Sequence, residues 1–249
     1  MLDFMRIVCA VPPVKVGDVA KNAQDICAYM EKANWEKADA VLFPELALTG
    51  YSCGDLLYQD SLHRAVKQGV RAIAACSAKY PELTVVFGLP LRVNAKLYNC
   101  AAVMSRGEIC GIVPKTYLTT AEKRWFASAT ELGTVWLEPE KLGLVSSEDY
   151  YGIPVTANQL FRLAEDTVVG IEICQDLMAP RPCSSDLAVK GAEVILNLSA
   201  SPELAGKREM RRDLVRHQSM ACSCVYAYVS AGYTESTSDV VFSWHSMIV

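Results

Sequence analysis

Short apolar runs rich in Val and Ile recur along this chain, each too brief for a helix. They span 6–10, 40–43, 83–88, 100–104, 109–113, 167–173, 193–198 and 225–230. Runs of that length and β-branched content predict strands. Longer amphipathic stretches separate some of them, at 19–37, 61–79 and 207–224. In the first, Ala23, Ile26, Met30 and Ala33 share one helical face, so the stretches predict helices with one apolar side. Gly107-Glu108 stands between two runs and predicts a hairpin turn, hence an antiparallel pair. Strands interleaved with one-sided helices must stack as layers, giving an α/β or α+β fold. The pattern leaves the strand order open. No Pro/Gly/Ser linker, repeat or low-complexity tract divides the sequence, so residues 1–249 are expected to form one domain.

Composition narrows the function classes. Hydrophobic residues make up 51% of the chain, enough for a large core and far from disordered composition. The net charge is −4 with acids and bases interspersed, so nucleic acid is not an expected partner. The opening MLDFMRIVCAVPPVKVGD lacks the basic-then-apolar form of a signal peptide. No run approaches the ~18 apolar residues of a membrane helix. The expectation is a soluble cytoplasmic protein with no membrane partner. None of the ten cysteines forms a CxxC pair, which removes the zinc-ribbon and thioredoxin signatures. Most of these thiols are expected to be small buried hydrophobes. The three histidines lack H-x-x-x-H spacing and no G-x-S-x-G elbow occurs, which disfavours metal and serine hydrolases. Arg208, Arg211, Arg212 and Arg216 crowd one helical stretch with His217; the arginines offer an anion site, but the run reads first as a solvated or subunit-contact face.

Three segments share one form: a strand-like run ends and a reactive side chain follows. Glu45 follows Val41-Leu42-Phe43-Pro44, Lys115 follows Ile112-Val113-Pro114, and Cys174 follows Gly170-Ile171-Glu172-Ile173. Pro44 and Pro114 end their strands just before the reactive residue. Ends of neighbouring strands lie close together, so the three side chains can converge. Such a trio supports acyl transfer from an amide or nitrile. A thiolate attacks the carbon. The lysine is expected to favour that thiolate and to stabilise the tetrahedral oxyanion. The glutamate serves as general base and then as acid toward ammonia. Taken singly, each residue reads as packing, cap or solvated charge; only their shared context raises the catalytic reading.

The same segments resemble the Glu, Lys and Cys motifs of the nitrilase (carbon–nitrogen hydrolase) superfamily. LFPELALTGYSCGDLLYQD, VPKTYL, EKRWFASA, ICQDL, NLSASPELAGKREMRR and GYTESTSDVVFSWHSMIV are similar to one branch, the glutaminase domain of glutamine-dependent NAD+ synthetases. The resemblance runs from about Met5 to the end. It implies a four-layer αββα sandwich that assembles into homo-oligomers. It implies hydrolysis of L-glutamine to glutamate and ammonia, with no cofactor for that step. ATP and Mg2+ would serve only a C-terminal synthetase domain, which would use the ammonia to amidate nicotinic acid adenine dinucleotide. That domain's SGGxDS loop does not occur here, so the chain is expected to be either one half of a larger protein or a stand-alone relative. Glu45, Lys115 and Cys174 carry over as the triad and Glu122 as the auxiliary glutamate. Ser201 and Lys207 carry over as contacts to the α-amino and α-carboxylate ends of glutamine.

Four departures from the branch stand out. Gln175 replaces a usual Glu, which removes the charge-assisted part of a hydrogen bond, about 1 kcal/mol. Met178 replaces an aromatic pocket wall. The loop TYLTTAEKRWF after Lys115 is several residues short. Trp244 occupies a usual Gly position, which is costly if that position has positive φ. These departures leave open a stand-alone amidase of the same fold, or a catalytically impaired scaffold domain.

Overall fold

A computed structural model describes residues 4–145, 152–163 and 166–249. One sheet has seven strands, in the order β1 (Ile7–Cys9), β2 (Ala40–Leu42), β3 (Thr84–Val93), β4 (Lys96–Ser105), β5 (Glu108–Pro114), β7 (Ile153–Val155) and β6 (Val135–Leu137). The other has five, in the order β12 (Met247–Ile248), β11 (Val225–Ser230), β10 (Val194–Ser199), β9 (Val168–Ile173) and β8 (Leu160–Arg162). β1, β2 and β3 run parallel, as do β9, β10 and β11. Consequently the C-terminal ends of β2, β9 and β10 all open toward one edge of the molecule.

Period-two alternation sends one face of each strand inward. Val169, Ile171, Ile173, Val194, Leu196, Leu198, Ala227 and Val229 meet Leu42, Val86, Ala101, Val103 and Val113 in a core between the sheets. The opposite faces meet helices. α1 (Val19–Trp35) and α2 (Asp60–Ser77) bury Ala23, Ile26, Met30, Val66, Val70 and Ile73 against Val41, Val85 and Phe87. On the second sheet, Leu187 of α3 (Cys183–Val189) and Val215 of α4 (Lys207–Cys222) pack on Ile195, Tyr226 and Tyr228. The layers are therefore helix, sheet, sheet, helix, the αββα sandwich.

Every expected run and helix has an observed counterpart, with instructive differences. The hairpin turn lies at Arg106-Gly107, with φ of +53° and +83°, one residue before Gly107-Glu108. The run read as 83–88 continues to Val93 through Pro90, which pairs with Asn99, and turns back at Asn94-Ala95 with positive φ at both. A proline removes one ladder donor, and this ladder tolerates it. The short strands β6, β7, β8 and β12 and the seven-residue α3 carried no periodic signal. Arg211 corrects the reading of the arginine-rich face: it is fully buried, while Arg212, Arg216 and His217 are exposed.

Trp244 adopts φ of +59°, a left-handed conformation that costs a bulky residue about 1–2 kcal/mol. Its indole lies edge-on to Tyr233 at 4.4 Å, over Gly232, where an added Cβ would fall 1.7 Å from Nε1. Gly232→Ala should therefore expel the indole and lower stability by about 1–3 kcal/mol. Thermal unfolding, with a red shift of tryptophan emission, checks this; an unchanged melting temperature would refute the packing argument.

Candidate active site

Glu45 leaves the end of β2 on a tight turn in which Leu46 has φ of +53°. Lys115 follows β5 directly, its N–H bonded to the Asn99 carbonyl at 2.8 Å. The two side chains meet in the interior: Lys115 Nζ donates to Glu45 Oε1 at 2.5 Å and to Glu122 Oε1 at 2.7 Å. Glu45 and Lys115 are 0% and 1% exposed. Asn99 Nδ2 donates to the same two oxygens, at 2.7 and 3.1 Å. An ammonium carries three donors, so one remains for a substrate oxygen. Burial would drag the lysine's pKa down, but Glu45, Cys174 and Glu122 outweigh it and hold the ammonium well above its ordinary value. Burial likewise pushes Glu45 up, to about 7, against the pull of Lys115. Glu122 is penalised by burial too, yet Lys115 and the Thr119 N–H hold it below the usual carboxylate range. One carboxylate is thus a permanent anion, and the other exchanges a proton near neutrality.

The shortened loop after Lys115 closes on Glu122 itself. Thr119 N–H donates to Glu122 Oε2 at 2.8 Å, and Glu122 N–H returns a bond to Thr119 Oγ1 at 3.3 Å. These bonds hold Glu122 beside Lys115.

Cys174 stands at the end of β9 with φ of +47° and is 6% exposed. A left-handed non-glycine residue is strained, and such strain gathers at functional sites. Asp176 braces this turn against the lysine loop. Its carboxylate accepts from Ile173 N–H at 3.0 Å and from Thr116 and Tyr117 N–H at 3.1 and 2.7 Å. Ala200 N–H donates to Glu45 Oε2 at 2.9 Å and lies close enough to Cys174 to favour its thiolate. One backbone N–H thus stands beside both Glu45 and Cys174. Lys115 pulls the Cys174 thiol toward the thiolate, but burial is the larger influence. Burial, reinforced by Glu45, pushes the thiol up to about 12, and Lys115 only partly offsets this. Its charge is already matched by two carboxylates. The Cys174 side chain therefore rests as a thiol at neutral pH.

Ser201 is buried with no hydrogen-bond partner for its hydroxyl among the described residues. Lys207 begins α4 and lies near enough to Cys174 to sense its charge, while burial pulls its ammonium below the ordinary value. A cation at a helix N-terminus opposes the dipole, as fits a residue kept for an anion. Gln175 and Met178 are half-buried on the turn that follows Cys174. Three contributors escaped the sequence reading. Asn99 was legible as an amide inside an apolar strand, and Asp176 as an acid beside the nucleophile. Tyr51 had no signal, yet its buried phenol lies within the field of Glu45, Glu122, Lys115 and Cys174.

Residues 7–249 match the carbon–nitrogen hydrolase family. The chain belongs to that family. A glutamine-dependent NAD(+) synthetase from Mycobacterium tuberculosis is 36% identical over 253 residues, a match covering 98% of this chain and 35% of that protein. One from Xylella fastidiosa is 29% identical, with 100% and 41% covered. This carbon–nitrogen hydrolase domain thus spans well under half the length of such relatives. Among solved structures, the glutamine-dependent NAD(+) synthetase of Cytophaga hutchinsonii superposes with TM-score 0.79 at 26% identity, covering 99% of this chain and 39% of that one. A nitrilase-superfamily amidase from Nesterenkonia shares the fold, with TM-score 0.76 at 18% identity over 98% and 82% of the two chains.

Proposed function

We propose that this chain is the glutamine amidohydrolase domain of a glutamine-dependent NAD+ synthetase, with Glu45, Lys115 and Cys174 as its catalytic triad. The observation that carries the reading is the buried Glu45–Lys115–Glu122 cluster, whose three charges all act on the buried Cys174 thiol. Glu45 takes the thiol proton as sulfur attacks the carboxamide carbon. The oxyanion is held by the remaining Lys115 donor and the Gln175 N–H. The C–N bond then breaks, Glu45 returns the proton to the leaving ammonia, and a thioester remains. Water, deprotonated by Glu45, attacks the thioester; glutamate leaves and the thiol is restored. Ser201 and Lys207 receive the α-amino and α-carboxylate ends, and Gln175 and Met178 wall the pocket. No metal or cofactor enters these steps; ATP and Mg2+ belong to the synthetase domain of a longer protein. The reading places the domain in a cytoplasmic homo-oligomer.

The base must be deprotonated to act. Because burial moves Glu45 to about 7, kcat/KM should rise with pH through about 7 and level off above it. Alkylation of Cys174 by iodoacetamide should follow the same limb, and Glu45→Gln should remove the limb. The deciding assay measures ammonia release from L-glutamine, asparagine and simple amides, with Cys174→Ala as control. Glutamine-selective release lost in the control supports the proposal. Release from other amides alone would point to a stand-alone amidase. No release, with Cys174 no more reactive than the other cysteines, would sink the enzyme reading.

A further inference from the structure

Arg211 is the largest fully buried side chain of the described residues, and nothing in the triad chemistry uses it. It projects from α4 beneath the segment that joins β10 to α4. Its Nη1 and Nη2 each lie 3.3 Å from Glu203 Oε2, and Nη2 also reaches the Pro202 carbonyl at 3.4 Å. On its other side Nη1 meets His245 Nδ1 at 2.9 Å. Glu203 is held from the same direction: Ser243 Oγ donates to its Oε2 at 2.5 Å, and its own N–H donates to the Val241 carbonyl at 2.7 Å. One guanidinium therefore fastens the Pro202–Glu203 segment to the C-terminal stretch around Val241, Ser243 and His245.

The segment so held has two differently secured ends. Its start is part of the sheet: Ala231 N–H donates to the Ser199 carbonyl at 3.1 Å, and Ser201 N–H to Ser230 Oγ at 3.3 Å. That end fixes Ala200 on Glu45 and Cys174. Beyond it come Gly206, at φ of +77°, and then Lys207. Lys207 lies within the field of Cys174, Arg211 and Glu203 together. We propose that Arg211 is a positioning residue that, through Glu203 and His245, clamps the 202–206 segment so that Lys207 faces the acyl pocket. The clamp sets capture of an anionic substrate end and leaves the chemical step to the strand-held residues. It rests on the amidase reading of this site, and on glutamine only as the anionic amide that reading names.

The clamp requires a neutral His245, because the arginine donates and Nδ1 must accept. Burial and the charges of Arg211 and Arg208 favour that neutral form against Glu203 and Glu209. Acid therefore charges the imidazole, removes the acceptor and sets a second cation beside Arg211.

The test uses the full chain and the amide that the wild type turns over fastest. Arg211→Met should raise KM about tenfold with kcat within about threefold, the loss of roughly one charge-assisted interaction. Arg211→Lys should recover part of it. Since Arg211 acts through Lys207, the double variant with Lys207→Met should have a KM no higher than Lys207→Met alone. Wild-type KM should climb on the acid side of the usual histidine range, and His245→Asn should flatten that climb. Additive effects in the double variant, or a folded Arg211 variant with unchanged KM, overturn the proposal. Should Arg211→Met fail to fold, Glu203→Gln takes its place under the same criteria. If no amide is turned over, hydrogen exchange decides without substrate. Faster exchange of residues 202–207 in Glu203→Gln, with α2 unaffected, supports the clamp; unchanged exchange overturns it. If glutamine is inert but another amide reacts, the glutamine reading falls while these measurements still judge the clamp.

Discussion

Lys115→Met is expected to abolish amide turnover and to destabilise the fold by about 3–5 kcal/mol at neutral pH and above, the cost of breaking a buried ion pair. The lysine is 1% exposed, and its one nitrogen holds oxygens of Glu45 and Glu122 at 2.5 and 2.7 Å. Without it, two carboxylates face each other with only the Asn99 amide between them. Like charges in a dry site push at least one carboxyl up in pKa. An acid raised in the folded state contributes stability below its unfolded pKa and loses it as pH rises through the folded value. The variant should therefore be nearly as stable as wild type in mild acid and fall away toward alkaline pH. Adding Glu122→Gln removes the repulsion and should restore most of the stability. It should not restore turnover, because the oxyanion donor that we propose Lys115 to be, worth about 10²–10³ in rate, is still missing. Urea unfolding at several pH values, beside the ammonia assay, separates the two roles. Wild-type stability at alkaline pH in the single variant would show that the buried cation is not holding the carboxylates.

Much of this site was legible before the fold. Glu45, Lys115 and Cys174 announced themselves because each follows a β-branched run, the strands β2, β5 and β9, and the packing of the two sheets brings those strand ends together. The sequence could not show what surrounds them. Asn99 reaches Glu45 from β4, and Asp176 ties Cys174 to the lysine loop, through contacts spanning 54 and 60 residues. Such pairings follow from register between strands, and no local periodicity reports them. Arg211 failed for the opposite reason. Its neighbours Arg212 and Arg216 are exposed, and composition alone gave no hint that one of the group turns inward to Glu203. The pull of Lys115 on the thiol was legible, whereas the larger effect of burial depends on how the two sheets close over Cys174 and was not.

Gly88→Ala should be the most damaging substitution that touches no reactive group. Gly88 lies in β3, and its φ is outside the left-handed region, so its backbone suits any residue. Space forbids the change. A Cβ there would fall 2.1 Å from Leu46 N and 2.8 Å from the Glu45 carbonyl carbon and the Pro44 oxygen, all backbone atoms of the turn that presents the base. No rotamer relieves such a clash. Ordinary contact begins near ~3.5 Å, so the turn must retreat by more than an ångström or β3 must bend. Leu48 N–H is bonded to the Gly88 carbonyl at 3.1 Å, which resists either movement. Glu45 holds its partners at 2.5, 2.7 and 2.9 Å, and a shift of that size breaks all three bonds. Misplacement on this scale costs about 10²-fold in rate, and overpacking a rigid core costs about 1–3 kcal/mol or more. Gly133→Ala is the control: it has positive φ but open space around it, so it should lose modest stability and keep full activity. A folded Gly88→Ala protein with wild-type turnover would mean that the turn bearing Glu45 does not lie against β3 as described. Loss of activity in that variant alone would show that a single missing methyl group in a strand holds the base in place.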